Sequence, residues 1–125
     1  MSTLKVNTLE EATAGGATFY TTKAWVNFNG DGTVAIRDSG NVSSVTDNAT
    51  GRYTANLTSA MANSNYKVSG SAGKTSTTAS QEILFYGSNV TPTSPSTTAV
   101  GVKVVNSAGT AIQDATYVTL AGQGN

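Results

Sequence analysis

One stretch constrains the fold of this chain more than any other: residues 23–38, KAWVNFNGDGTVAIRD. Both of its ends alternate between apolar and polar residues, which is typical of β-strands that bury one face. Between the two ends lie Asn-Gly and Asp-Gly, the dipeptides that tight hairpin turns favour. Two alternating runs around such a turn predict a β-hairpin with strands at residues 23–29 and 33–37.

The hairpin also contains the predicted core anchors. Val34 and Ile36 share one face of the second strand, and Phe28 points to one side of the first. Trp25 is the only tryptophan, and it points to the side opposite Phe28. Because a large aromatic side chain gains most from burial, we predict that Trp25, Phe28, Val34 and Ile36 all anchor the core.

Further short runs of strand-forming residues follow the hairpin; most of them alternate, and residues 82–87 (EILFYG) are the most apolar run, which predicts a strand buried on both faces. They predict strands at residues 41–46, 52–57, 66–72, 82–87, 99–105 and 116–121. In the first of these, Val42 and Val45 are offset by one residue, which indicates a β-bulge. Strands at a spacing of roughly 8–12 residues, with turn signals and no amphipathic helix, predict an all-β fold. We expect an antiparallel, jelly-roll-like β-sandwich of about eight strands.

The N-terminal region differs from the rest in composition. Residues 1–9 resemble a short strand with Leu4 and Val6 on one face, and residues 10–18 are small and glycine-containing, as in a linker. We therefore predict an N-terminal arm and linker over residues 1–20 and a β-sandwich domain over residues 21–125. The first residues contain no apolar segment, so we expect no secretory signal.

Composition predicts a small core. Leu, Ile, Val and Phe account for only 23 of 125 residues. The chain nevertheless lacks the high net charge that is typical of disordered proteins, because only 11% of its residues are charged and its net charge is zero. We expect a homo-oligomer in which Leu4, Val6 and Leu9 of the arm contact a neighbouring subunit. Zero net charge argues against nucleic-acid binding, and no apolar run reaches the ~20 residues that membrane insertion requires.

The residues of common catalytic and ligand sites are missing. The chain has no His and no Cys, and its seven carboxylates form no evident acid–base pair. Residues 70–75, GSAGKT, lack the first glycine of a phosphate-binding loop, and residues 27–38 lack the glutamate of a calcium loop. We predict no enzymatic activity, no catalytic residues, no cofactor and no metal. A glycosidase with two carboxylates distant in sequence remains an alternative.

Five segments together resemble a known module. KAWVNFN at residues 23–29, NVSS at 41–44, DNATG at 47–51, YTANL at 53–57 and AMANSNY at 60–66 follow one another as they do in tail-fibre and other virion structural proteins of bacteriophages, many of them marine or cyanobacterial. The opening STLKVNTL, residues 2–9, is similar to the short N-terminal arm of such proteins.

The resemblance implies a virion protein, made in the bacterial cytoplasm and usually multimeric, most often trimeric. We expect an exposed tail-fibre or tail-tip type subunit that works with other virion proteins and can contact a host surface glycan through residues 73–80 and 89–97. The alternative is a capsid decoration (cement) protein. A third hypothesis is an independent carbohydrate-binding module with Tyr20, Phe19 or Tyr86 as sugar platforms. The family brings no catalytic residues.

Overall fold

The protein is built from antiparallel β-strands. The computed structural model describes residues 2–6, 8, 12, 15–16, 18, 20–75, 81–85 and 95–124. The strands are β1 (Thr22–Asn29), β2 (Ala35–Gly40), β3 (Val42–Ala49), β4 (Arg52–Leu57), β5 (Lys67–Gly73), β6 (Gln81–Phe85), β7 (Ala99–Asn106) and β8 (Tyr117–Gln123). Every strand pairing is antiparallel. The prediction of an all-β antiparallel fold is confirmed.

The strands lie in the order β2-β1-β8-β5-β6-β7-β4-β3. We call β2-β1-β8-β5 the first half and β6-β7-β4-β3 the second half; among the described residues, Ala72 of β5 and Gln81 of β6 form the pair that joins them. The sheet folds over, because Phe28 of β1 meets Tyr53 of β4 although these strands are far apart in the order. Their ring centroids lie 5.2 Å apart in a T-shaped contact, a favoured aromatic geometry.

The core lies between the two halves and consists mainly of valine and alanine around this aromatic pair. Among the residues whose burial the structure describes, the largest fully buried side chains are Tyr53, Phe28, Val26, Val102, Val104 and Val118. Tyr53 and Ala55 of β4 belong to this core, as does Tyr66, which immediately precedes β5. An apolar cavity of about 20 Å³ remains near Val42, Leu57 and Leu120.

Two of the predicted core anchors are corrected. Phe28 is fully buried and Val34 packs half-buried against the core. Trp25, however, is 41% exposed and Ile36 is 37% exposed. Trp25 points away from Phe28 on β1, and only the Phe28 side of that strand faces the second half. Ile36 lies on β2, which ends the strand order and is mostly exposed.

Register irregularities shape the hairpins, and two of them bear on the predictions. Between β1 and β2 the register passes from Asn27 opposite Asp38 to Phe28 opposite Ile36, so Arg37 is an extra, bulged residue. Between β3 and β4 the register shifts immediately after Val42, which confirms the predicted bulge. The first hairpin has a wider turn than predicted, because β2 begins at Ala35 rather than at residue 33.

The described part of the N-terminal arm contains no strand. Residues 2–6 have no regular secondary structure, and Leu4 and Val6 are 87% and 58% exposed. The predicted arm strand is therefore wrong for these residues in the single chain, because a strand needs a hydrogen-bonding neighbour. Leu9 lies outside the described residues.

Asn41 forms the corner between β2 and β3. It is the one described non-glycine residue with positive φ, at 56°. Its side-chain oxygen accepts a hydrogen bond from the Ser59 amide at 2.7 Å, and its side-chain nitrogen donates to the Ser59 carbonyl at 3.0 Å. The side chain thus links the corner by hydrogen bonds to the connection that follows β4. Asparagine also tolerates the left-handed conformation better than most residues do.

Replacing Asn41 with alanine should lower the free energy of unfolding by about 2 kcal/mol, since it removes both bonds to Ser59 and keeps the strained φ. Asn41→Gly loses the same bonds but accepts the positive φ, so it should be about 1 kcal/mol more stable than the alanine variant. Urea unfolding of the three proteins measures both differences. Equal stability of the two variants would mean that backbone strain at this corner is negligible.

Candidate functional site

The outer surface of the first half exposes several large side chains next to polar ones. We define the aromatic face as Trp25, Asn27, Arg37, Tyr117 and Thr119. Trp25 and Asn27 point outward from β1, opposite the buried Val26 and Phe28. Tyr117 and Thr119 point outward from β8, and Asn27 pairs directly with Thr119. Antiparallel pairing therefore brings residues from distant parts of the chain onto one surface.

Trp25 lies over a glycine on the neighbouring strand. Gly40 of β2 is its cross-strand partner, and a Cβ added there would overlap the indole nitrogen and come within 2.8 Å of Cδ1. The indole ring is therefore supported by the backbone at Gly40, a packing that protects an edge glycine. It stays 41% exposed, so part of the ring is open to a ligand.

Arg37 is held on the aromatic face by three neutral groups. Its Nη2 donates to the Thr116 carbonyl at 2.7 Å and its Nη1 donates to the Asn27 side-chain oxygen at 3.3 Å. The guanidinium carbon lies 4.3 Å from the centroid of the Tyr117 ring, in cation–π contact. These contacts fix the position of the cation, and none of the three groups carries a charge. Asp38, the cross-strand partner of Asn27, places one carboxylate on the same exposed surface.

A second cluster, the Tyr53 junction, joins three connections at one end of the fold. The buried Tyr53 hydroxyl lies 2.7 Å from the Gly30 carbonyl and 2.9 Å from Asp114 Oδ1, so its single proton is shared between two acceptors. The same Asp114 oxygen accepts a bond from the Gly51 amide at 2.7 Å. Burial, and next the hydrogen bond to Asp114, raise the pKa of Tyr53 well above its ordinary value. The junction serves structure rather than ligand binding, because its groups satisfy one another.

The described residues contain no group of three or more His, Cys, Asp or Glu side chains that could hold a metal ion. In the turn after β1, the side chain of Asn29 and the backbone of Asp31 bond to each other. A cleft of about 360 Å³ lies beside Lys23, Asn41 and Met61, but the Asn41 amide is already bonded to Ser59.

The predicted contact residues are only partly within the described chain. Leu4 and Val6 are exposed, and Tyr20 is 55% exposed. Phe19, Tyr86, residues 76–80 and residues 89–94 lie outside the described residues. Sequence reasoning missed the aromatic face, although the placement of Trp25 and Phe28 on opposite sides of β1 was the signal that could have indicated it. It also missed Asp114, whose partner Tyr53 is 61 residues away.

Comparison with known proteins returns no similar protein: no family, no curated protein and no solved structure matches this chain. Among the described residues, no helix has the length and apolar character needed to cross a membrane.

Proposed function

We propose that this chain is a structural, non-enzymatic protein of a bacteriophage virion, exposed on the particle as a tail-fibre or tail-tip type subunit that can contact the host. The observation that carries the proposal is the resemblance of residues 23–66 to the module of such proteins. Its segments fall on β1, β3 and β4 and on the turns and connection next to them.

We further propose that the fold is a jelly-roll-like sandwich. Strands β5, β6 and β7 neighbour one another in sequence, with β8 beside β5 and β4 beside β7. A fourth strand that returns beside the first of three consecutive strands makes a Greek key, so the order contains two overlapping Greek keys. A jelly roll is an eight-stranded double sheet built from two Greek keys, and the Phe28–Tyr53 contact between the halves supports that arrangement.

The working unit of this proposal is a homo-oligomer, specifically a trimer, with Leu4, Val6 and Leu9 in the subunit contact. Support comes from the exposure of Leu4 and Val6 in the single chain, because burying such side chains against a neighbour is favourable by about 25 cal/mol per Å² of apolar area. The number three rests on the resemblance to phage proteins.

Removal of residues 1–13 should shift the native mass toward the monomer and lower the midpoint of thermal unfolding. A finer test compares the double variant Leu4→Ser, Val6→Ser with Lys5→Ser, which changes the residue between them. Light scattering should show dissociation of the double variant only. A mass of 12.7 kDa for the intact chain at micromolar concentration would contradict self-association, and an unchanged oligomer after the deletion would contradict the role of the arm.

Immunogold labelling of purified particles tests the placement. An antibody to this chain should label the tail, and label confined to the head would overturn the tail assignment. Mass spectrometry of heads and tails separated from the same particles provides an independent measurement. Absence of the chain from both fractions would refute the virion proposal itself.

The alternative proposal is a capsid decoration (cement) protein that stabilises the head. It is favoured by the exposed apolar residues of the arm, which could attach a small subunit to a lattice. Copy number separates the two placements, since hundreds of copies per particle indicate the capsid and a few dozen or fewer indicate the tail. The exposure of Trp25 also favours the third proposal, a carbohydrate-binding module that acts outside a virion.

A further inference from the structure

We propose that the aromatic face binds acidic polysaccharide, with the exposed part of the Trp25 indole against the C–H face of a sugar ring and Arg37 paired with a sugar carboxylate. This inference goes beyond the proposed function, because it assigns a ligand and a surface to the isolated chain whether or not the chain is part of a virion. It also replaces the loops and platforms predicted from sequence with residues of β1, β2 and β8.

The first support is the fixed orientation of the Trp25 ring. Contact with the Gly40 backbone holds the indole in place before any ligand arrives, and a preorganised group loses little conformational entropy on binding. Next to Trp25 on β8 lies Ala121, and the following strand places Ser69 beside Ala121. Small side chains on this side leave room for a flat ring to approach the indole.

The second support is the charge of Arg37. A guanidinium has five N–H donors, and two of the donors of Arg37 are used by the neutral oxygens of Thr116 and Asn27. The Tyr117 ring covers one side of the guanidinium. The remaining donors match a carboxylate, which arginine binds with directed, charge-assisted hydrogen bonds. Asp38, which pairs with Asn27 and lies on the same surface, accepts a bond from the Ser39 amide. The ligand is therefore an acidic sugar rather than a neutral one.

The third support is a set of polar residues that lies between the rings of Trp25 and Tyr117. Asn27 and Thr119 are paired across β1 and β8, and the Thr119 hydroxyl lies 2.7 Å from that of Ser71 on β5. Amide and hydroxyl groups at this position can exchange hydrogen bonds with sugar hydroxyls. A face shared with a second copy of the chain would be expected to be more apolar at its centre, as homodimer interfaces are.

Because Trp25 is the only tryptophan, its fluorescence reports on this face alone. We would titrate the intact protein with oligogalacturonate and with the methyl ester of the same oligosaccharide, which keeps the sugar rings and removes the charge. The buffer contains a chelator, so that calcium cannot bridge carboxylates. The acid should change the Trp25 emission saturably, and the ester should bind about tenfold more weakly.

Two variants assign the roles, with binding followed by calorimetry. Arg37→Gln should bind the acid no better than the wild type binds the ester. Trp25→Ser should weaken the binding of the acid and of the ester alike, by about tenfold or more. The matched control is Lys103→Gln, which removes one positive charge from β7 in the second half and should leave binding unchanged. Far-ultraviolet circular dichroism and thermal unfolding establish that each variant is folded.

The proposal is overturned if the wild-type protein shows no saturable response to the acid at millimolar concentration. It is equally overturned if Lys103→Gln weakens binding as much as Arg37→Gln, since the attraction would then be general. A third contrary result combines two observations: the Trp25 emission changes with protein concentration, and Trp25→Ser dissociates an oligomer that the wild type forms. A second copy of the chain would then occupy the aromatic face.

Discussion

Replacing Tyr53 with alanine is expected to lower the free energy of unfolding by about 3–5 kcal/mol, the range for truncating a buried aromatic side chain. Tyr53 is fully buried, and its ring contacts Phe28 across the core. Tyr53→Phe retains the ring and removes only the hydroxyl, so it should cost about 1–3 kcal/mol through the loss of the bonds to Gly30 and Asp114. Urea unfolding at neutral pH measures both values.

Tyr53 should also make stability dependent on alkaline pH. Its pKa in the folded protein is raised, so the folded state keeps the phenol proton where the unfolded state has lost it, above the ordinary pKa of about 10. The stabilisation from Tyr53 is therefore complete below pH of about 10 and is lost as the pH rises further, by up to about 1.4 kcal/mol per pH unit. Tyr53→Phe has no phenol at this position and should lose this component of the slope.

The matched control is Tyr117→Phe, because Tyr117 is 49% exposed and outside the Tyr53 junction. Lysines also titrate near this pH, but they are the same in all three proteins, so the difference between slopes isolates one tyrosine. If Tyr53→Phe and the wild type lose stability at the same rate above pH of about 10, the buried phenol is not responsible for the alkaline loss.

Local sequence patterns predicted much of the strand structure because they arise from local physics. Alternating residues predicted β1 and β4, and the offset between Val42 and Val45 predicted the bulge in β3. The turn after β1 was predicted at the right position but too short, since its Asn29 side chain bonds to the Asp31 backbone and holds a wider loop. Turn chemistry marks where a chain reverses more reliably than it marks the first residue of the next strand.

The aromatic face could not be predicted from the alternation of apolar and polar residues alone. Period-two alternation placed Trp25 and Phe28 on opposite sides of β1, but it does not say which side is covered. The folding of the sheet decided that question, because the second half covers the Phe28 side. Arg37 reaches Thr116, 79 positions later, only because β1 lies between β2 and β8. Pairing between strands that are far apart in the chain cannot be predicted from a short window of sequence.

Gly70 and Gly73 should respond in opposite ways to the same substitution. Both lie on β5, and both are paired with β8. A Cβ at Gly70 would overlap the Thr119 carbonyl oxygen and lie 3.0 Å from Leu120 Cδ2, whereas a Cβ at Gly73 would meet nothing within 4 Å. Thr119 lies on β8, between β1 and β5. It therefore cannot move without disturbing the pairing of β8 with both of these strands.

Gly70→Ala is therefore expected to lower the free energy of unfolding by about 3 kcal/mol or more, the upper end of the cost of overpacking. Gly73→Ala should be neutral or stabilising by about 0.4–1 kcal/mol, because alanine reduces the entropy of the unfolded chain. Urea unfolding gives both values, and hydrogen exchange should be faster at the amides of Ser71 and Thr119 in Gly70→Ala only. Equal stability of the two variants would show that β5 and β8 are less closely apposed at Gly70 than this geometry requires.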